Sequence, residues 1–230
     1  MPAEEGPAGG GETYFTPEPK SRSERSRLRF LYRGEILEFE VDRGIFASSG
    51  LDRGTELLIE NLRVGPSDEV LDLGCGWGAI GIAAAKQADR GRVVMVDVNR
   101  RAALLARRNL ARNGVANAEV LVGSLFDPVA DRRFDVVVSN PPYRAGRSLI
   151  ERFLAEAPGH LREEGRLVLV GKGSQGILYY QRRLEKDWPG PVAVLARGSG
   201  YRVIEAAVRA RPGPRRDRRG AARSSGSRRG

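Results

Sequence analysis

Between residues 69 and 208, short apolar runs alternate with segments of helical period, and nothing else in the chain constrains its fold as strongly. The apolar runs lie near 69–73, 92–97, 118–122, 134–139, 166–170, 191–196 and 202–208. The helical patterns lie near 78–88, 100–112, 148–158 and 174–187. Ile177, Tyr180, Leu184 and Trp188 show the period in the last of them, and Asn113-Gly114 supplies a helix stop. Uniformly apolar strands separated by helices predict an α/β fold, a parallel sheet covered on both faces. The last two runs have no helix between them, only the turn Gly198-Ser199-Gly200, so that pair must be antiparallel at the end of the sheet. Upstream, Leu28, Phe30 and Tyr32 alternate with polar residues, Arg33-Gly34 breaks the pattern, and Leu37, Phe39 and Val41 resume it. Period two on both sides of a short glycine turn predicts a β-hairpin. Leu57, Leu58 and Leu62 predict a helix within 52–62.

A chain of 230 residues accommodates one ordinary domain. The expected organisation is a flexible segment over 1–27, a domain over 28–208 (hairpin 28–45, core 46–208) and a disordered Arg-rich tail over 209–230. The longest uncharged run, Leu73 to Ala85, falls short of the ~20 apolar residues of a membrane helix. The first six residues show no basic start and no apolar core, so no secretory signal is expected. One cysteine, Cys75, and one histidine, His160, exclude an internal disulfide, a cysteine-built zinc site and a histidine-rich metal centre. Cys75 reads as a small loop residue and His160 as a surface polar residue, and a reducing cytoplasm is the natural compartment. The formal charge is +10. Eight Arg and one Asp give residues 211–230 a charge of +7. Coding bias and a polyanionic partner both account for the arginine excess of the body; for the tail, the partner is the preferred reading.

The first chemistry-bearing segment is Asp72-Leu73-Gly74-Cys75-Gly76-Trp77-Gly78, where a strand runs into glycines and a helix follows. Ligands of α/β sheets bind in the crevice at the carboxyl ends of the strands. Asp97 ends the next strand, and an acid there can accept both hydroxyls of a ribose. Loop and acid together read as a site for an adenosine-containing cofactor. Gly76-x-Gly78-x-x-Gly81 spells a dinucleotide pattern, but it begins two residues after the strand has ended at Gly74. Asp72, directly before the loop, would repel a pyrophosphate and suit a cationic ligand. S-adenosylmethionine carries a sulfonium and an ammonium and no phosphate.

The second segment is Asn140-Pro141-Pro142-Tyr143, entered directly from the buried strand Phe134 to Ser139. Two prolines fix the backbone and remove two N–H donors. What remains is an acceptor-lined slot for a planar amine. The Asn140 side-chain oxygen and the Pro141 carbonyl can each accept one N–H, which turns the nitrogen lone pair toward a methyl donor. Tyr143 can stack on the ring that carries the amine. Arg144 and Arg147 follow, as phosphate contacts or as a solvated loop.

With these residues in place the chain resembles a class I S-adenosylmethionine-dependent methyltransferase. It is similar in particular to the RsmC-like "methyltransferase small" family, whose known members methylate guanine N2 in ribosomal RNA. The likeness spans roughly 28–208 and includes Gly44-Ile45-Phe46-Ala47-Ser48, Leu51-Asp52-Arg53-Gly54-Thr55 and Val96-Asp97-Val98-Asn99. It implies a Rossmann-like seven-stranded sheet, mostly parallel with an antiparallel final strand, with helices on both faces and a small hairpin in front. It implies S-adenosylmethionine against Asp72, Gly74, Cys75, Gly76 and Gly78, with Asp97 on the ribose and Val98 and Asn99 beside it. Ser124 and Leu125 fall where relatives face the adenine, with Ser124 in the place of their acid. Asn140, Pro141, Pro142 and Tyr143 would form the catalytic turn, Asn140 also touching the cofactor. Phe46, Ser48 and Thr55 would line the pocket mouth, with Tyr143, Arg144 and Arg147 toward the substrate. The implied partner is ribosomal RNA or a ribosomal particle and the implied reaction is direct in-line transfer, with no metal and no covalent intermediate. A protein glutamine amide and adenine N6 are alternative acceptors.

Overall fold

The computed structural model describes residues 24–42 and 50–209. Phe46 and Ser48, the segment 1–23 and the tail from 210 onward lie outside the described residues, as does the end of the expected 28–45 hairpin beyond Asp42.

The hairpin is β1 (Arg25–Tyr32) paired antiparallel with β2 (Glu35–Asp42). Both turn residues take positive φ, 50° at Arg33 and 84° at Gly34, the backbone that matches the twist of a two-residue hairpin. The hairpin begins at Arg25, three residues before its apolar alternation. Arg25 and Arg29 extend it by pairing with Glu40 and Glu38 across the strands, a charge pattern that hydrophobic period does not register.

The core follows as α1 (Arg53–Asn61), β3 (Glu69–Leu73), α2 (Ala79–Gln87), β4 (Arg92–Asp97), α3 (Arg100–Arg112), β5 (Ala118–Val122), β6 (Phe134–Ser139), α4 (Arg147–Glu156), β7 (Leu161–Lys172), α5 (Ile177–Asp187), β8 (Val192–Gly198) and β9 (Tyr201–Ala207). The strands form one sheet in the order β5-β4-β3-β6-β7-β9-β8. All neighbours are parallel except β9, which runs antiparallel to both β7 and β8. The expected Rossmann-like sheet is thus borne out. Helices α1 to α3 cover one face together with the hairpin, and α4 and α5 cover the other.

β7 is longer than its apolar run predicts. Arg162, Glu163 and Glu164 are exposed and carry no apolar signal, yet Leu161 pairs with Phe134 across a register shift. The bend needs Glu164 at φ 62° and Gly165 without a side chain, because a Cβ there would stand 3.0 Å from the Phe134 carbonyl oxygen. His160 differs from its surface reading. Its ring stacks on Phe126 at 4.3 Å and 2°, half-buried beside the Arg132 carbonyl.

The hairpin is held to the core by side-chain amides. Asn109 Oδ1 accepts from Glu40 N at 2.7 Å, and Asn109 Nδ2 donates to Glu40 O at 2.9 Å and to Trp77 O at 2.8 Å. One helical turn on, Asn113 repeats the pairing with Glu38 N and O at 2.9 and 2.8 Å. Residues two apart in a strand lie ~6.7 Å apart, and residues four apart in a helix rise ~6 Å. The two spacings match, so α3 serves as the missing neighbour of the β2 edge. Phe39 packs edge-on against Trp77 at 4.8 Å, bringing the hairpin onto the glycine loop. Gln87 Nε2 donates to Tyr32 Oη at 2.7 Å and to Leu62 O at 3.1 Å, closing the other end. Asn109→Ala should orphan several buried backbone groups and cost about 3 kcal/mol of stability, measured by urea denaturation, with a still larger loss in the double variant with Asn113→Ala.

Candidate active site

The carboxyl ends of β3 and β6 lie side by side where the strand order reverses, the position at which open α/β sheets bind ligands. Ser139 Oγ donates to the Leu73 carbonyl at 2.6 Å and ties the start of the proline turn to the start of the glycine loop. The two motifs found in the sequence therefore share one crevice.

The loop leaves β3 with Gly74 at φ 74° and Gly76 at φ 57°. A Cβ on Gly74 would meet nothing within 4 Å, so it is the left-handed backbone, and not lack of room, that requires glycine there. Gly74 N and Cys75 N both donate to the Val96 carbonyl, at 2.8 and 3.0 Å. Asp97, buried at the end of β4, accepts from Gly76 N through Oδ2 and from Asn99 N through Oδ1, both at 2.8 Å. This acid thus shapes the loop itself. Asn99 caps α3, its Oδ1 accepting from Arg101 N and Ala102 N. Val98 lies between these two buried residues. Cys75 is buried in the loop, and burial pushes its thiol well above the usual range. Gly78 caps α2, and Gly81 of the dinucleotide-like pattern lies inside α2, where a Cβ would strike Met95 Cγ at 2.7 Å.

Asp72 is fully buried in β3. Its Oδ2 accepts from Gly81 N at 2.8 Å, while Oδ1 is a buried oxygen without a hydrogen-bond partner among the described residues. Burial, and to a smaller extent the Asp97 charge, push its carboxyl up to about 7, against the pull of the Gly81 N–H. An uncompensated carboxylate oxygen beside a turn of left-handed glycines fits a group bearing an ammonium or sulfonium.

Ser124 and Leu125 follow β5, next to Asp97, whose carbonyl accepts from Gly123 N at 3.0 Å. Leu125 stands at φ 46°, an uncommon backbone for a branched residue and one that collects at functional sites.

Asn140 leaves β6 with its amide fixed. Nδ2 donates to Thr55 Oγ1 at 2.9 Å and to Asp52 Oδ2 at 3.1 Å, and Oδ1 is left for an N–H donor. The Pro141 carbonyl already accepts from Tyr143 N at 2.9 Å and retains its second lone pair. Pro142 leads into a single helical turn over Tyr143–Ala145. Tyr143 is anchored by its hydroxyl, which donates to the Val170 carbonyl at 2.8 Å, and its ring lies 5.7 Å from that of Tyr180. Gly171 makes room for it, since a Cβ there would collide with the hydroxyl. Burial raises the Tyr143 phenol, which stays protonated.

The two arginines diverge. Arg144 is exposed beside the turn. Arg147 bonds Glu151 and the Tyr179 hydroxyl, with its guanidinium 4.1 Å over the Tyr179 ring. Two residues that sequence reasoning did not single out belong to the Asn140 shell: Asp52 and Tyr201, whose hydroxyl donates to Asp52 Oδ1 at 3.0 Å. Asp52 is also the N-cap of α1, its side chain accepting from Thr55 N. Among the described residues no His, Cys, Asp and Glu gather as a metal site, and no helix is long and apolar enough to cross a membrane.

Known proteins share this architecture. The family model described as "Methyltransferase small domain" matches residues 36–205. The chain is 31% identical over 198 residues to the uncharacterized protein YbxB of Bacillus subtilis, covering 85% of this chain and 98% of that one. It is 36% identical over 167 residues to the ribosomal RNA small subunit methyltransferase C of Pseudomonas fluorescens, covering 71% of this chain and 48% of the relative. A solved structure of the Thermus thermophilus 16S rRNA N2 G1207 methyltransferase (RsmC), in complex with AdoMet and guanosine, superposes with a TM-score of 0.67 at 28% identity, over 82% of this chain and 50% of that one. The chain thus spans about half the length of the ribosomal RNA methyltransferases it resembles.

The raised Asp72 carboxyl sets a pH dependence. The folded protein keeps a proton that the unfolded chain releases near 3.8, so this group's contribution to stability is full below that pH and is lost as pH rises through about 7. The ligand-free protein should therefore lose about 3 kcal/mol from this group between pH 5 and 8, and Asp72→Asn should flatten that part of the profile in urea denaturation.

Proposed function

The chain belongs to the methyltransferase small domain family of S-adenosylmethionine-dependent methyltransferases, and from that premise we propose that it methylates an exocyclic amine of RNA, with guanine N2 of ribosomal RNA as the favoured acceptor. One observation carries the reading: the Asn140 amide is held through its nitrogen by Thr55 and Asp52, which leaves its oxygen for a donor, at the end of the strand that neighbours the one bearing the orphaned Asp72 oxygen.

S-adenosylmethionine, when bound, supplies a methyl group on a sulfonium, already a good leaving group. The chain's own residues then have positioning to do. Asp72 and the loop glycines would hold the cationic end of the donor, and Asp97 its ribose, with Val98, Asn99, Ser124 and Leu125 along the adenosine. Asn140 Oδ1 and Pro141 O would accept the two N–H groups of the acceptor amine, aiming its lone pair at the methyl carbon. Transfer would break the donor's C–S bond as the N–C bond forms, with the electron pair leaving on sulfur and the nitrogen's surplus proton passing to solvent. Alignment of two reactants in this way is worth ~7–11 kcal/mol of barrier. Thr55 serves the slot through its bond to Asn140, whereas Tyr143, tethered through its hydroxyl, would meet a base with its ring. A base in a duplex would have to leave the stack to reach the slot, which costs a few kcal/mol. Arg144 and the +7 of residues 211–230 supply charge for phosphates.

The test is transfer of labelled methyl from S-adenosylmethionine to RNA from cells lacking the protein, with the product base mapped by mass spectrometry. Methylated guanine N2 is expected; label on adenine N6 or on protein glutamine would replace the acceptor. Asn140→Ala should lower transfer by ~100-fold or more while donor binding is retained, as for loss of a preorganised transition-state interaction. Wild-type turnover in that variant would overturn the amine slot. Removing residues 211–230 should weaken RNA binding and make log affinity less steep in log salt, by ~0.7 for each phosphate that the tail neutralises on a single strand.

A further inference from the structure

An amide has nearly the same shape whichever way round it sits. Only one orientation of Asn140 serves the proposed slot, because the other would set an NH2 donor against the acceptor base's own amine. Something must choose. We propose that Asp52, anchored by Tyr201, is the positioning residue that fixes the orientation of the Asn140 amide and so makes the slot selective for amines. The inference rests on the amine-slot reading of Asn140.

Both atoms that meet the Asn140 Nδ2 are acceptors. Asp52 Oδ2, 3.1 Å away, has no proton to give when ionised. Thr55 Oγ1, 2.9 Å away, turns its own proton toward the same Asp52 oxygen at 3.4 Å and so presents lone pairs to the amide. Reversing the amide would bring its oxygen against a carboxylate and a lone pair. The carboxylate in turn is held at both oxygens. Oδ2 accepts from Thr55 N at 3.1 Å, and Oδ1 accepts from Tyr201 Oη at 3.0 Å. Tyr201 reaches Asp52 because residue 54 is glycine; a Cβ there would stand 2.6 Å from Tyr201 Cε1. The hydrogen bond links segments 149 residues apart.

Capping of α1 does not by itself account for this arrangement. A cap needs only the Thr55 N–H, and Ser, Asn and Asp all provide it about equally well. The difference lies in what else each can do. A serine at position 52 would cap but would not reach Asn140 or Tyr201. An amide at position 52 could cap, keep its oxygen toward Asn140 and give its NH2 to the Tyr201 oxygen, as long as that oxygen is there to receive it.

The experiment compares variants of the full chain for kcat on RNA, donor Kd by titration, and thermal stability. Asp52→Ser should keep donor Kd and unfolding temperature near wild type and lower kcat at least tenfold. Asp52→Asn and Tyr201→Phe should each lower kcat only a few-fold. Their combination should lose far more than the product of the two, because the amide at 52 then has nothing to orient it. Asn140→Ala serves as the control on the slot: if it turns over like wild type, the slot reading fails. If Asn140→Ala is inactive while Asp52→Ser is as active as wild type, or the double variant is merely multiplicative, the role of Asp52 is overturned and the slot stands. Should Asp52→Ser fold poorly, the pair of Asp52→Asn and Tyr201→Phe, which keeps the cap, decides the question alone.

Discussion

Two carboxylates are buried at the ends of adjacent parallel strands, and the crevice depends on how the fold tolerates them. Asp97 is compensated: its oxygens take backbone N–H groups of the glycine loop and of the α3 entrance. Asp72 is half compensated, with one oxygen on Gly81 N and the other orphaned. Burying a carboxylate without partners is expensive, and the protein's answer in the free state is to retain a proton. The same arrangement gives a cationic ligand a reason to bind there and a dinucleotide pyrophosphate a reason not to. The loop conformation and the helix starts follow from these two acids.

Much of this was legible in the chain. The apolar runs gave the strands, the glycine turn gave the hairpin, and Asp72 to Gly78 and Asn140 to Tyr143 fall at strand ends as their flanking patterns required. What could not be read was long-range hydrogen bonding. Asp52 stands at the start of a predicted helix and Tyr201 just ahead of a predicted strand. Nothing local says that they meet. Tyr143 reads as a free ring, and only the fold shows its hydroxyl committed to the Val170 carbonyl. Asn113 reads as part of a helix stop and Asn109 carries no signal of its own, yet Asn109 is fully buried and both bond β2. The start of β7 went unseen because Arg162, Glu163 and Glu164 are charged and exposed, and the contact that ties Arg162 to Asp135 of β6 is an ion pair with no apolar signal.

The hairpin shows how a small addition is attached to a finished sheet. β2 does not join the seven strands. Two asparagines supply the hydrogen bonds that a neighbouring strand would have supplied, and the apolar side buries Tyr32, Leu37 and Phe39. Arg101, in the first turn of α3, pairs with Asp42 at the strand's end. The helix that starts beside Asp97 is therefore also the hairpin's main support.

The reversal of β9 has a geometric consequence. A strand parallel to its neighbours would present its last residue at the crevice, and its first at the far side of the sheet. Because β9 runs the other way, its first residue, Tyr201, stands opposite Lys172 at the rim where the parallel strands finish. The tight Gly198-Ser199-Gly200 bend just before it acts as a short tether on that ring. Changes in the length of this tether would slide the tyrosine along the rim and leave the donor cradle untouched. On the roles proposed for Asn140 and Asp72, acceptor choice and donor grip would then be mechanically separable.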